Sequence, residues 1–172
     1  TIVEDAEGCL LTPATIAVEN VQEEGTVELS GTAEQGQTLT ATVSDDDGIS
    51  GAIAYQWYRS DMDFGTCISA VADALCGYSP ITGATEDTYI ATQADVGYTL
   101  KVQVTYTDDQ GTYESIVSAA TGAIENVNDA PTGKPKITGG ARVGKTVEAK
   151  RYNLDDADGI ADGAITYKWY TV

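Results

Sequence analysis

Histidine is absent from this 172-residue chain, phenylalanine and methionine occur once each, and nine Lys and Arg stand against 27 Asp and Glu. Without histidine no Ser-His-Asp or Cys-His arrangement can form within the chain, and no imidazole is available to a metal. A net charge of −18 disfavours nucleic-acid phosphates and an anionic bilayer surface, which are held by Lys and Arg clusters. No run of 18 apolar residues is present to span a bilayer. Helical periodicity is almost absent. Cysteine is scarce: Cys67 and Cys76 lie nine apart in one irregular stretch and could close a small disulfide ring, whereas Cys9 has no obvious mate. Such a ring stabilises by roughly 2 to 3 kcal/mol where its geometry is relaxed, and it favours an oxidising, extracellular setting.

What the chain has is repetition. Val18-Glu19-Asn20-Val21 returns as Ile124-Glu125-Asn126-Val127, and the residues before each echo also match. Beyond the second copy, Gly139 to Trp169 repeats Gly31 to Trp57. This marks a slice of a tandem array. Residues 1–21 read as the closing strands of a preceding partial module, 22–131 as a complete module with an insertion at 60–79, and 132–172 as the opening strands of a following partial module. Neither fragment should bury a full core alone, so further chain or a neighbouring molecule is expected to complete them, and any signal or anchor is expected outside the slice. Charge divides with the modules: residues 1–128 hold 21 acidic and 2 basic side chains, and 129–172 hold 6 acidic and 7 basic.

Within the complete module, short segments alternate with the period of two that marks a strand with one face in a core. Thr26 to Ser30 reads as an edge strand. Leu39, Ala41 and Val43 share a face, as do Ile53, Tyr55 and Trp57, and Leu100, Val102, Val104 and Tyr106 form the clearest pattern. Thr88 to Ala91 is a further strand, and Thr112 to Ile124 returns to the junction. Asp45-Asp46-Asp47-Gly48, Gln93 to Gly97 and Asp108-Asp109-Gln110-Gly111 are turns. About seven short strands and a Trp on the third predict an all-β fold, a β-sandwich.

Gly36-Gln37-Thr38-Leu39-Thr40-Ala41, Tyr55-Gln56-Trp57-Tyr58, Ile81-Thr82-Gly83-Ala84-Thr85, Thr92-Gln93-Ala94-Asp95-Val96-Gly97 and Asn126-Val127-Asn128-Asp129-Ala130-Pro131 together resemble the immunoglobulin-like and cadherin-like tandem repeats of large secreted bacterial adhesins of the RTX type. The resemblance implies immunoglobulin-like Greek-key sandwiches in tandem and Ca²⁺ at the junctions. The Cys67 to Cys76 insertion departs from it, and so does the absence of an inter-sheet cysteine pair.

Sandwich topology brings the entering linker beside two loops. At the first junction this gathers Glu19, Asn20, Glu23 and Glu24 with Asp45, Asp46, Asp47, Asp108 and Asp109. At the second it gathers Glu125, Asn128 and Asp129 with Asp155, Asp156 and Asp158. Like charges about 4 Å apart repel by roughly 1 kcal/mol in water and more where water is excluded, so a bridging cation is expected. All-oxygen ligands suit Ca²⁺. No EF-hand fits, since Val43 and Ala54 would fill its first and last ligand positions around Gly48, and the glycine-rich calcium nonapeptide is missing. Gly139 to Thr146 spells a phosphate-loop pattern, but Val147-Glu148-Ala149-Lys150 reads as a strand, where phosphate binding needs a helix.

The expected function is structural and not enzymatic: an extender module of a long extracellular, cell-surface adhesin, stiffened by calcium and partnered by neighbouring modules, without nucleic acid or membrane insertion. Two alternatives stand beside it. One is a subunit of a self-assembling filament or surface layer, a homo-polymer built by inter-chain strand complementation. The other is a carbohydrate- or surface-binding module using exposed aromatics such as Tyr58, Tyr78 and Tyr170 near the insertion. Non-reducing peptide mapping by mass spectrometry is expected to recover Cys67 linked to Cys76; a link of either to Cys9 overturns that pairing.

Overall fold

The computed structural model describes residues 22–61 and 74–170. Two antiparallel sheets carry the complete module. One has the order β1-β2-β5, from strands Thr26–Ser30, Thr38–Ser44 and Thr88–Ile90; the other has the order β4-β3-β6-β7, from Tyr78–Pro80, Ser50–Ser60, Leu100–Thr107 and Tyr113–Val117. The fold is all-β, as the alternation predicts, and consistent with a β-sandwich. β3 extends to Ser60 and β4 ends the insertion, so part of the stretch without periodicity is paired strand.

The core follows from period-two alternation. Leu39 and Ala41 of β2 meet Leu100, Val102, Val104 and Tyr106 of β6 and Ile116 of β7 around Trp57, which is entirely excluded from solvent. The Trp57 indole stacks at a tilt on Tyr89, centroids 5.6 Å apart. Its N–H donates to the Glu86 carbonyl at 2.9 Å, so a large apolar body is buried without stranding its polar atom. Ile53 and Tyr55, expected inward with Trp57, are half-buried and pack against this core. The β3–β6 ladder is regular from Ala54 to Arg59 and carries an irregularity between Ser50 and Ala54.

A buried carboxylate fastens the turn between β5 and β6. One Asp95 oxygen accepts bonds from the Thr92 amide at 2.7 Å, the Thr92 hydroxyl at 2.7 Å and the Tyr89 hydroxyl at 2.8 Å. The other meets the Arg59 guanidinium at 3.2 Å. Burial, reinforced by the bond to Asp95, pushes the Tyr89 phenol up to about 12. Beyond β7 the chain keeps bonding β6, through the Ser118 amide to Val102 and the Thr121 amide to Leu100, until Ile124 bridges Val96 in parallel.

Residues 136–139 and 147–150 form a third, two-stranded sheet, β8 and β9. Its register copies the first hairpin: Ser30 faces Thr40 in one, and Thr138 faces Glu148 in the other, both positions displaced by 108 residues. The repeat therefore holds in backbone pairing as well as in letters. β9 also stands where phosphate binding would need a helix, which removes the phosphate-loop reading of Gly139 to Thr146. Replacement of Trp57 by alanine is expected to cost about 3 to 5 kcal/mol, and replacement by phenylalanine distinctly less, in urea unfolding followed by circular dichroism.

Candidate functional site: the acidic junctions

The inward register of β6 does not stop at its apolar residues. After Tyr106 the next inward position is Asp108, 1 % exposed, and in β7 the register that buries Ile116 also buries Glu114, 8 % exposed. Two carboxylates are thus driven into the end of the core by the alternation that builds it. The β2–β3 loop and the linker at 22–24 converge on the same place.

Neutral donors hold this cluster together. The Tyr106 hydroxyl donates to Asp45 at 2.6 Å and the Asp47 amide donates to the other Asp45 oxygen at 2.8 Å. Asp47 in turn accepts from the linker amide of Glu23 at 2.7 Å and from the Gln110 side chain at 2.7 Å. Asp108 accepts the Gln110 and Thr112 amides, at 2.9 and 2.7 Å, and the Gln22 side chain at 2.8 Å. Gln22 also donates to Glu114 at 3.2 Å and accepts from the Thr112 hydroxyl at 2.7 Å. Two glycines permit the approach: a Cβ on Gly25 would lie on the Tyr106 hydroxyl, and one on Gly48, at φ +84°, would press into the Asp109 carboxylate.

The electrostatics follow from these bonds. For Asp108, burial alone would raise the pKa, but the donors from Gln22, Thr112 and Gln110 more than offset it and hold the carboxyl below its ordinary value. For Glu114, burial and then the charges of Asp45, Asp108, Glu24 and Asp47 raise it. Tyr106 is raised by burial and by its bond to Asp45.

The second junction repeats the device. Asp158 accepts the linker amide of Asp129 at 2.6 Å, as Asp47 accepts that of Glu23. The Asp158 amide donates to Asp156 at 3.0 Å, as that of Asp47 donates to Asp45. Asn126 donates to Asp158 at 2.8 Å, and Gln35 of the preceding module donates to Asp129 at 2.8 Å. Thr132 and Asp155 exchange main-chain bonds at 2.7 and 2.9 Å.

Of the residues singled out by sequence, Asp45, Asp47 and Asp108 are brought together at the first junction, and Asp129, Asp156 and Asp158 at the second. Asp46 lines a shallow cleft with Glu23, Glu24 and Asp45, and Asp109 lies against Gly48. Glu125 is fastened by its main chain to Ala33 and Gln35, and Asn128 bonds its neighbour Asp129; Asn126 makes the side-chain contact expected of them. The side chain of Asp155 pairs with Arg151 at 3.6 Å. Glu19, Asn20, Cys9 and Cys67 lie outside the described residues, while Cys76 is disulfide-bonded. Sequence reasoning passed over Gln22, Tyr106, Glu114 and Gln35. The inward alternation of β6 and β7 could have found Tyr106 and Glu114, but nothing local marks the two glutamines.

Among the described residues, no three Asp, Glu, His or Cys side chains are grouped as they would be around a metal ion. The oxygens of Asp45, Asp47 and Asp108 instead accept from protein donors, so this placement does not by itself fit calcium. Elsewhere, Tyr78, Tyr98 and Asp61 line a cleft at the base of the insertion, with Lys101 stacked on Tyr78 and Arg59 on Tyr98. Among the described residues no helix is long and apolar enough to cross a membrane.

Comparison with protein families and with curated proteins gives no match. The junction chemistry therefore stands on its own geometry.

The pKa directions predict a pH signature. Asp108, lowered in the fold, stabilises above its unfolded value of about 3.8, and that contribution is lost as pH falls through the lower folded value. Glu114, raised in the fold, gives its contribution below about 4.5 and loses it as pH rises through the higher folded value. Glu114→Gln, which keeps an acceptor for Gln22, is therefore expected to raise Tm at pH 7 without added divalent cations. The gain should shrink toward nothing below about pH 4; an equal gain at both pH values contradicts the electrostatic cause.

Proposed function

We propose that the chain is a stretch of immunoglobulin-like Greek-key sandwiches in tandem, working as a structural extender of a large extracellular bacterial surface adhesin. The observation that carries this reading is the repeated joint: the same aspartate pair grips the incoming linker amide at both ends of one sandwich. A hydrogen bond from a main-chain amide to a carboxylate is among the stronger ones available to a protein. Two such anchors, with Gln35 and Asn126 bracing the second joint from the preceding module and linker, restrict the hinge that a flexible linker would leave. An enzyme gains nothing from this arrangement, and a spacer does.

Calcium belongs to the proposal as an added stiffener. Glu24 and Asp46 line the acidic cleft with Asp45 and have no bonded donor on their carboxylates among the described residues. At a Ca²⁺ concentration ten times the dissociation constant, binding adds about 1.4 kcal/mol per site, enough to bias a joint that already closes without metal. The filament reading retains one supporting feature, the apolar surface of residues 135–169.

Small-angle scattering of a protein with two or more complete modules tests both layers. A maximum dimension close to a rod, falling when Asp47 and Asp158 are replaced by alanine, is the expected result. Unchanged flexibility in those variants sinks the joint, and curves unaffected by Ca²⁺ and then chelator remove the calcium layer alone.

A further inference from the structure

The β8–β9 hairpin copies the backbone register of β1–β2 but reverses its charge. Residues 26–44 contain no Lys or Arg and two acidic residues, Glu28 and Glu34, a net −2. Residues 134–152, the same stretch displaced by 108, contain Lys134, Lys136, Arg142, Lys145, Lys150 and Arg151 against Glu148: six basic less one acidic, a net +5. Position by position, Lys136 stands for Glu28, Arg142 for Glu34, Lys150 for Thr42 and Tyr152 for Ser44.

The alternation of the strands puts much of this difference on an outward face. In the complete module Leu29 and Ala41 pack on the core, while Thr26, Glu28 and Thr42 are exposed although strands β1 to β7 are all in place. The equivalent face of β8–β9 is therefore a surface in its own right. Lys136 and Lys150 lie directly opposite each other on it, a like-charge pairing that destabilises a hairpin. Glu148, paired with Lys150 at 3.2 Å, offsets part of the repulsion. The Lys136 ammonium also sits over the Tyr152 ring, 4.8 Å from its centroid, and Tyr152 is 71 % exposed. A tyrosine set among cations where the first hairpin has a serine is the substitution expected at a protein contact, since Tyr and Arg are enriched there and Ser is depleted.

The chain carries the complementary surface itself. The outward face of β1–β2 holds Glu28 and runs into the cleft where Glu23, Glu24 and Asp46 flank Thr26 and Ser44. We infer that the β8–β9 hairpin docks on the β1–β2 hairpin of a second copy of this chain, so that neighbouring copies lie side by side, out of step by one module. In step, −2 would face −2 and +5 would face +5; the stagger replaces both with an attractive pair, and like-charge rejection selects that register. The overall charge of −18 permits the contact because it is unevenly placed: residues 1–128 hold 21 acidic and 2 basic side chains, a net −19, and residues 129–172 hold 6 acidic and 7 basic, a net +1. At physiological salt, charges more than about 8 Å apart are largely screened, so the pairs in contact outweigh the distant excess. This lateral contact goes beyond the extender reading, which concerns joints along one chain.

Two charge-reversed proteins test it, each reversal moving the charge by two. Glu28→Lys with Glu34→Lys takes the first hairpin from −2 to +2, and Lys136→Glu, Arg142→Glu and Lys150→Glu together take the second from +5 to −1. Sedimentation equilibrium of the unchanged chain is expected to show concentration-dependent association. The association should weaken on the order of tenfold in either variant alone, by a similar factor in Tyr152→Ser, and disappear in about 1 M salt, where the screening length is about 3 Å. Mixing the two reversed variants should restore it, because the basic first hairpin of one then meets the acidic second hairpin of the other. In a mixture of isotopically labelled and unlabelled chain, carbodiimide coupling of amines to carboxylates is expected to join Lys134, Lys136 or Lys150 to Glu24, Glu28 or Asp46 across copies. Chains that stay monomeric, variants that associate as well as the parent, a mixture that does not recover, or links between copies that fall elsewhere each overturn the proposal. A monomeric chain alongside a rod-like scattering curve rejects the lateral contact and leaves the extender reading standing.

Discussion

The bond from a loop aspartate to the amide of the incoming linker is the constraint on which the arrangement of this chain depends. Asp47 fixes Glu23, and Asp158 fixes Asp129. Each of these aspartates is aimed by a second one two residues earlier, Asp45 or Asp156, which accepts its amide. The loop is thereby shaped before it meets the linker. The linker meets each of these loops at a set place because the amide it offers bonds a well-oriented carboxylate.

The price of this design is charge. At the first joint Asp45, Asp47, Asp108 and Glu114 crowd together, and the responses of Glu114 and Tyr106, both raised, register the strain. What offsets it among the described residues is a set of neutral donors, namely Gln22, Gln110, Thr112 and Tyr106. Amides and hydroxyls can satisfy a carboxylate without competing for it as a salt-bridged lysine would. The complete module keeps its basic residues elsewhere. Arg59 serves Asp95, and Lys101 donates to the Ala74 carbonyl.

Much of the architecture was legible because alternation is a direct record of burial. Leu100, Val102, Val104 and Tyr106 announced their strand, and the repeat announced that β8 and β9 would copy β1 and β2. Topology sufficed to bring the Asp45 to Asp47 loop, the Asp108 loop and the linker together. What stayed hidden depends on distance in sequence. Gln22 and Glu114 meet across 92 residues, and Gln35 reaches Asp129 across 94; no local pattern encodes such a partner. Ile53 and Tyr55 pack against the core as their alternation with Trp57 predicts, less deeply than Trp57 itself. At the second junction the sequence pointed to Glu125 and Asn128, but the main-chain grip on Glu125 leaves Asn126 as the residue that reaches Asp158.

That the same aspartate grip on the linker occurs twice has a geometric consequence for the proposed array. In the proposed array, a rotation and translation fixed by one set of bonds and applied again at each copy would trace a screw axis, whose pitch would be a property of a single joint. A small change in how Asp158 holds the linker would not bend such a molecule at one place. It would rewind the proposed array along its length, so the shape of such an array would be readable, and alterable, at the scale of one hydrogen bond.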